Sequence, residues 1–469
     1  MDTLDQQLPA ALRRIVTTQD MRVGAGVLAA LPPVLQRILP APRYVIVADE
    51  NTWAAAGPQV TQLLAAAGLA TAAPQILRGT PRIRPYAETA RSLAGTLRAS
   101  TAVPIAVGAG VINDLVKYAA SLAGLSYACV PTAASMDGYA ASGAALRDGG
   151  FKRTFDCPAP AVVVADTDVI ATAPDGMAAW GYGDLAGKLV AGADWVVADA
   201  LGEDKVNDGP FALVQDNLSR WLKQPEAIRR GDRAALEGLV RGLLTSGLAM
   251  QAHGNSRPAS GSDHQFAHLW EMEGLAVDGE PVSHGACVGV GCLSMLAAYE
   301  WLLQQDLGAI APAALAARVP SQAALQAEVA AAFAVPFMAS NAERETLAKA
   351  GDAAATGRRL QALQQCWPAL SARLRQMLPS AREVQQWLQA VGGPACAADI
   401  GVSAQKHAAD YRRARLIRRR YTGLDLLHDL GWLDEAVRSL FDADGFWRFP
   451  PHASGEVPRR GGGEPTRSM

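Results

Sequence analysis

Three things are scarce in this chain: net charge, paired cysteine and an apolar leader. Lysine plus arginine number 43 against 45 aspartates and glutamates, a net charge of −2, so no global field draws the protein to nucleic acid or an anionic membrane. Any phosphate has to be held by local cations. The six cysteines form no Cys-x-x-Cys pair and are scattered through apolar segments. That is the pattern of reduced, buried thiols in a cytoplasmic protein, and no disulfide is expected. The opening residues, MDTLDQQLPAALRR, carry early acids and no apolar core, unlike a secretory signal. Two runs lack Asp, Glu, Lys and Arg, namely Tyr118 to Met136 and Pro281 to Tyr299. The first is interrupted by Pro131 and the second contains His284 and several glycines, so a buried helix, not a membrane span, is expected for the second.

Apolar residues are plentiful. Half of the 469 residues are hydrophobic, enough for two or three domains with substantial cores. Histidine is rare but clustered: of seven, four (His253, His264, His268 and His284) fall between 253 and 284. His264 and His268 stand four apart in a segment without proline or glycine, so on a helix they share a face. His284 precedes Gly285 at the start of a long apolar segment. Neutral imidazole is a common ligand for zinc, nickel and iron, and one more carboxylate completes a three-ligand site with an open position. Asp263 is close by, but Gln265 stands where the HExxH pattern places its general-base glutamate, which excludes that metalloprotease motif.

The N-terminal part alternates strand and helix. After a glycine turn at Val23–Gly26 and an apolar stretch with Leu28, Leu31 and Leu35, the run RYVIVAD reads as a strand ending in Asp49. Such an acid either meets the ribose of a dinucleotide or caps the next helix. Further strands are expected near Ala73–Leu77, Ala102–Val107, Tyr127–Val130 and Ala161–Ala165, with a helix over Ala87–Leu97. The strand at 102–107 runs into Gly108-x-Gly110 and a helix, an arrangement that lets backbone N–H groups approach a pyrophosphate. Asn113 replaces the third glycine of the usual fingerprint. The loop after Val130 offers Thr132, Ser135 and Asp137 to a pocket. Beyond about 170 the β-branched runs give way to alanine- and leucine-rich helical patterns, with Pro312, Pro320 and Pro336 as breaks. There Asp184, beside a Gly-x-Gly turn, is a candidate third metal ligand, and Lys188 sits one helical turn on as its ion-pair partner. RLIRRRYTG reads as a solvated basic helix face. These observations give an α/β nucleotide-binding domain over 1–170, a helical metal-binding and catalytic domain over 171–449 and a disordered tail over 450–469.

In order along the chain, GAGVINDLVKYAA, VPTAASMDGYAASGAAL, GYGDLAGKL, SRPASGSDHQFAHLWEMEG and His284-Gly285 together resemble sn-glycerol-1-phosphate dehydrogenases. These share a superfamily with glycerol dehydrogenase, iron-dependent alcohol dehydrogenases and 3-dehydroquinate synthase. The resemblance implies the active site in the cleft between the two domains and reduction of dihydroxyacetone phosphate to sn-glycerol 1-phosphate by NAD(H) or NADP(H). It implies that Asp184, His264 and His284 hold one divalent metal, zinc or nickel. Gly108, Gly110, Asn113 and Asp114 then follow the cofactor phosphates, with Asp49 at the ribose and Thr132, Ser135 and Asp137 facing nicotinamide and substrate. His268 sits beside the reacting carbon without binding metal, and Lys188 and Arg257 are the expected phosphate cations. A homo-oligomer, dimer or larger, is expected. Asp263, where the family places glutamate, leaves room for a changed substrate. A dehydrogenase of glycerol or another polyol is the alternative, followed by a dehydroquinate synthase-like lyase.

Overall fold

The runs YVIVAD, VPIAVG and VVVAD have no solvent-facing alternation, and strands of that composition are stable only when both faces are covered. In the computed structural model, which describes residues 8–149, 151–174 and 176–448, they are covered. The expected tail at 450–469 lies outside the described residues. β1 (Asp20–Gly24), β2 (Tyr44–Asp49), β3 (Gln75–Leu77), β4 (Val103–Gly108), β5 (Ala128–Pro131) and β8 (Val162–Asp166) form one parallel sheet in the order β1-β8-β5-β4-β2-β3. Side-chain alternation divides each strand between two cores. Ile46, Ala48, Ile105, Val107, Val162 and Val164 pack with Leu28, Leu31 and Leu35, whereas Val45, Val47, Ala106 and Val163 face the opposite layer with Leu93, Leu97 and Leu115.

The longest helices of this half are α1 (Glu50–Ala66), α2 (Ala87–Ser100) and α3 (Gly110–Ala123). The chain leaves β2 through α1 toward the edge strand β3, and leaves β4 through α3 in the other direction, to β5. The carboxyl ends of the neighbouring strands β2 and β4 therefore open a crevice at a topological switch point, the place where open α/β sheets bind ligands. Two features of this half differ from the expectation. Of the expected turn at Val23–Gly26, Val23 and Gly24 end the edge strand β1 and only Ala25 and Gly26 form the turn. An antiparallel hairpin of β6 (Ala144–Asp148) and β7 (Phe151–Phe155) stands apart from the sheet, and its half-exposed polar residues gave no apolar run to mark it.

The expected division at residue 170 falls between β8 and α4 (Met177–Ala200). From there the described chain is helical apart from a two-residue strand pair, β9 (Ala276–Val277) with β10 (Glu280–Pro281). α5 (Arg233–His253), α6 (Ser262–Met272), α7 (His284–Leu303) and α8 (Ala404–Leu416) follow. Pro312 and Pro336 open helices instead of breaking them, as proline does in a first turn, and Pro320 lies between two. α7 is long and apolar enough to cross a membrane, yet it is packed almost wholly inside the protein. Glycines decide how closely its neighbours approach. A Cβ on Gly285 overlaps the Trp180 carbonyl, one on Gly183 meets the Gly285 carbonyl, and one on Gly291 overlaps the Asp263 carbonyl. GYGD is consequently helix interior, not a turn. Its glycines let α4, α6 and α7 close on one another, and that contact brings three distant side chains together.

Candidate metal centre and cofactor cleft

Asp184 on α4, His264 on α6 and His284 at the first turn of α7 converge so that their potential ligand atoms lie within 4.8 Å of one another. His264 Nε2 stands 3.6 Å from Asp184 Oδ1. Each histidine has its other ring nitrogen engaged by a carboxylate: His264 Nδ1 is 2.6 Å from Asp263 Oδ2, and His284 Nδ1 is 3.0 Å from Glu271 Oε1. Carboxylates on Nδ1 fix the ring and leave Nε2 for a metal. Two imidazoles and one carboxylate suit zinc, nickel or iron and leave coordination positions for substrate. The residues therefore fit a divalent cation. His268, Glu271 and His284 form a second convergent group. There Glu271 already accepts from both histidines and from Lys152 Nζ at 2.7 Å, so it orients imidazoles.

The electrostatics agree with the donor set. Burial raises the Asp184 carboxyl, but Lys188, His284 and His264 outweigh it and hold it at about 2. Burial, with Lys188 and His284, drives His264 well below its usual value, so it is a neutral ligand. Burial also lowers His284, and Glu271 more than offsets this, leaving it raised until a cation displaces the proton. Asp263 is pushed up to about 7 by burial. The shorter acid still reaches His264, because Gly187, Gly261 and Gly291 pack around it.

A cleft of 1330 Å³ runs between the two halves. From the sheet side it is lined by Asp49, Gly110, Asp114, Thr132, Ser135 and Asp137, and from the helical side by His264, His268 and His284. Asp49 accepts from Thr52 N at 2.8 Å in a capping box at the start of α1, so the capping role is realised while the residue also lines the cleft. Asp137 is held by Ser246 Oγ at 3.0 Å, and its backbone N–H donates to Asp184 Oδ2 at 2.9 Å. This joins the substrate loop to a metal ligand.

Residues 22–174 match the family model described as iron-containing alcohol dehydrogenase. The chain is 31% identical over 422 residues to glycerol-1-phosphate dehydrogenase [NAD(P)+] of Bacillus velezensis, covering 89% of this chain and 93% of that relative. It belongs to the glycerol-1-phosphate dehydrogenase family. The enzyme of the same name from Bacillus subtilis is 30% identical over 330 residues, 70% of each chain. Among solved structures, a probable glycerol dehydrogenase from Sinorhizobium meliloti superposes with a TM-score of 0.57 at 17% identity, over 89% of this chain and 97% of the other, a likeness of fold.

Against the family pattern, four expected site residues are placed elsewhere. Lys188 is not on the cleft wall. Wholly buried, it bridges Asp184 Oδ1 at 2.6 Å and Asp137 Oδ2 at 2.9 Å and balances their charge. Arg257 is likewise buried, with Nη1 on the Tyr421 carbonyl at 3.2 Å, Nη2 on the Asp194 carbonyl at 3.0 Å and Asp204 at 3.1 Å. Neither is available to a substrate phosphate. Asn113, fully buried, donates to the Gly138 carbonyl and accepts from Tyr127 instead of facing phosphates. Gly108 lies behind the wall, where a Cβ collides with Ile112. Sequence reasoning passed over Glu271, although it lies three residues after His268 and seven after His264, on the same helical face. It also missed Lys152, which only the hairpin brings to the site.

Proposed function

We propose that this chain is an NAD(P)-dependent oxidoreductase that reduces dihydroxyacetone phosphate to sn-glycerol 1-phosphate, with zinc or nickel at Asp184, His264 and His284. The observation that carries this reading is the convergent Asp184–His264–His284 group opening on a cleft whose opposite wall is the switch point of a parallel sheet. The family's relatives bear the name of that activity. When bound, the metal supplies Lewis acidity at a ketone oxygen and the reduced nicotinamide supplies the hydride.

The protein supplies position and charge. Asp263 and Glu271 hold the two ligand imidazoles in one orientation. Lys188 keeps Asp184 ionised and ties it to Asp137, so that ligand and substrate loop move as one unit. His268 faces the cleft with its Nδ1 3.2 Å from Glu271 Oε2, which leaves the Nε2 lone pair to accept a hydrogen bond from the water that protonates the product oxygen. Burial drives His268 well below its usual value, so the ring stays neutral at neutral pH and orients that water instead of carrying the proton itself. Asp49, the N-terminus of α3 and Thr132 form the surface for the dinucleotide. The test is NADH and NADPH oxidation with dihydroxyacetone phosphate and with dihydroxyacetone, on stripped protein reloaded with zinc or nickel. A clear preference for the phosphorylated ketone is expected; equal use of the two ketones makes the enzyme a polyol dehydrogenase.

A further inference from the structure

With Lys188 and Arg257 withdrawn, the cleft needs another means of holding a phosphate, and two of its wall residues lack partners. Gln265 is 2% exposed, lines the cleft one turn from both Gly261 and His268, and has no hydrogen-bond partner for its amide nitrogen or its amide oxygen among the described residues. Burying a carboxamide with both ends unsatisfied is costly, and natural proteins rarely do it unless a ligand or water completes the bonds. Arg418 lies on the same wall, just beyond α8. Neighbouring cations on the wall are engaged: Arg419 with Glu345 at 3.0 Å, Arg420 with the Ser260 carbonyl and Ser256, and Lys152 with Glu271 at 2.7 Å. Arg418 has no hydrogen bond or ion pair among the described residues. It nevertheless stands near enough to His268 and Glu271 to influence the charge of His268 and to be influenced by Glu271.

The loop carrying it is moored to the metal-bearing part of the chain. Arg257 grips the Tyr421 carbonyl, and Arg420 grips Ser260, two residues before α6. We infer that Arg418 and Gln265 are the residues that recognise the phosphate end of the substrate, an inference that rests on the proposed function. The guanidinium neutralises the phosphate and donates in a fork, and the carboxamide donates to the ester. The amide oxygen accepts from the substrate hydroxyl, so a small phosphate monoester bearing a hydroxyl satisfies both ends of the amide. Arg257 then acts at one remove, as a positioning residue for the loop.

The experiment compares kcat/KM for dihydroxyacetone phosphate with that for dihydroxyacetone on metal-reloaded protein, and measures glycerol 1-phosphate binding by calorimetry. In Arg418→Leu the ratio falls about 10- to 100-fold, mainly through KM, and in Gln265→Leu about 5- to 10-fold, with matching losses of binding. Arg418→Lys, which keeps the charge but not the fork, loses part of this and decides the matter if the leucine variant does not fold. Metal content at the wild-type level separates these effects from damage to the site. An unchanged ratio in the variants of both residues, while the wild type prefers the phosphorylated ketone, overturns the inference alone. Equal use of the two ketones by the wild type overturns the proposed function, and the inference with it.

Discussion

On the strand side of the cleft the wall is backbone and small side chains, among them Asp49 in its capping box, Ala109, Gly110, Thr132 and Ala133. On the helical side it is histidine and ionised groups, with the three histidines held by Asp263 and Glu271, and Glu271 in turn by Lys152. The two sides carry different information. A glycine on the strand side is required where atoms must be absent, and the protein's own packing can impose that requirement. A Cβ on Gly108 meets Ile112, and one on Gly110 meets Met136 at 2.7 Å, before any ligand is considered. Buried carboxylates and imidazoles have no such packing reason to be there. Removing them from water costs several kcal/mol per ion unless they are paired, so Asp184, Asp263 and Lys188 mark a function by their burial.

The largest effect expected from this contrast is on the helical side. Replacing His264 or His284 by alanine removes a ligand from a three-residue site, so tightly bound metal is lost and activity falls by at least about a thousandfold. His268→Ala, which removes a cleft residue outside the triad, keeps its metal. Elemental analysis of the three purified variants decides between the two overlapping groups that share His284. Stoichiometric metal in both His264→Ala and His284→Ala rules out the triad, and loss in His268→Ala and His284→Ala with retention in His264→Ala transfers the site to His268, Glu271 and His284.

The same contrast explains what could be read from the chain beforehand. The strands ending at Asp49, Gly108 and Asp166 were legible because β-branched runs buried on both faces have one reading. So was the histidine cluster, because HxxxH has one helical geometry. GYGD was misread as a turn because glycine in sequence does not distinguish a bend from a close helix contact. Here it serves the contact with Ala134 and Gly285. The phosphate cations were misassigned for a related reason: nearness in sequence to a ligand put Lys188 and Arg257 forward, whereas the buried helix face of Lys188 and the turn that carries Arg257 direct both side chains into protein. Arg418 and Arg420 sit in a segment read as a solvated helix face. In the structure α8 ends at Leu416, and the arginines beyond it turn onto the cleft.

A smaller effect tests whether Gly110 serves packing, cofactor or both. Gly110→Ala forces its Cβ against the Met136 thioether, and overpacking of this kind costs about 1–3 kcal/mol. The flexible methionine can be shortened, so Met136→Ala in the same chain relieves the clash. We expect the double variant to recover the stability lost by Gly110→Ala in urea melts, while NADH affinity measured by calorimetry stays below that of Met136→Ala alone. Recovery of affinity along with stability makes Gly110 a packing glycine only, and removes the strand-side residue on which the cofactor assignment leans most.

The smallest effect separates burial from ligation on the helical side. His407, on α8, is 1% exposed and is enclosed by Phe266, Tyr411, Phe441 and Trp447. The Ser294 hydroxyl donates to the Val290 carbonyl at 2.8 Å, so its oxygen accepts from His407 Nε2–H at 2.8 Å, and the ring is neutral. Burial, aided by Lys406, lowers its pKa to about 3. The unfolded chain therefore binds a proton near pH 6.5 that the folded protein refuses until about pH 3. The stability linked to His407 is fully present above pH 6.5 and is lost progressively as the pH falls below it. Between pH 7.5 and 5.5 the loss is about 1.4 kcal/mol. His407→Gln keeps a donor for Ser294 without a titrating ring, so urea melts at the two pH values should show a correspondingly smaller drop for the variant. Other histidines titrate equally in both proteins and cancel in the difference. Equal drops in the two proteins place the acid sensitivity in the metal-side imidazoles, where burial and ligation act together, and not in burial alone.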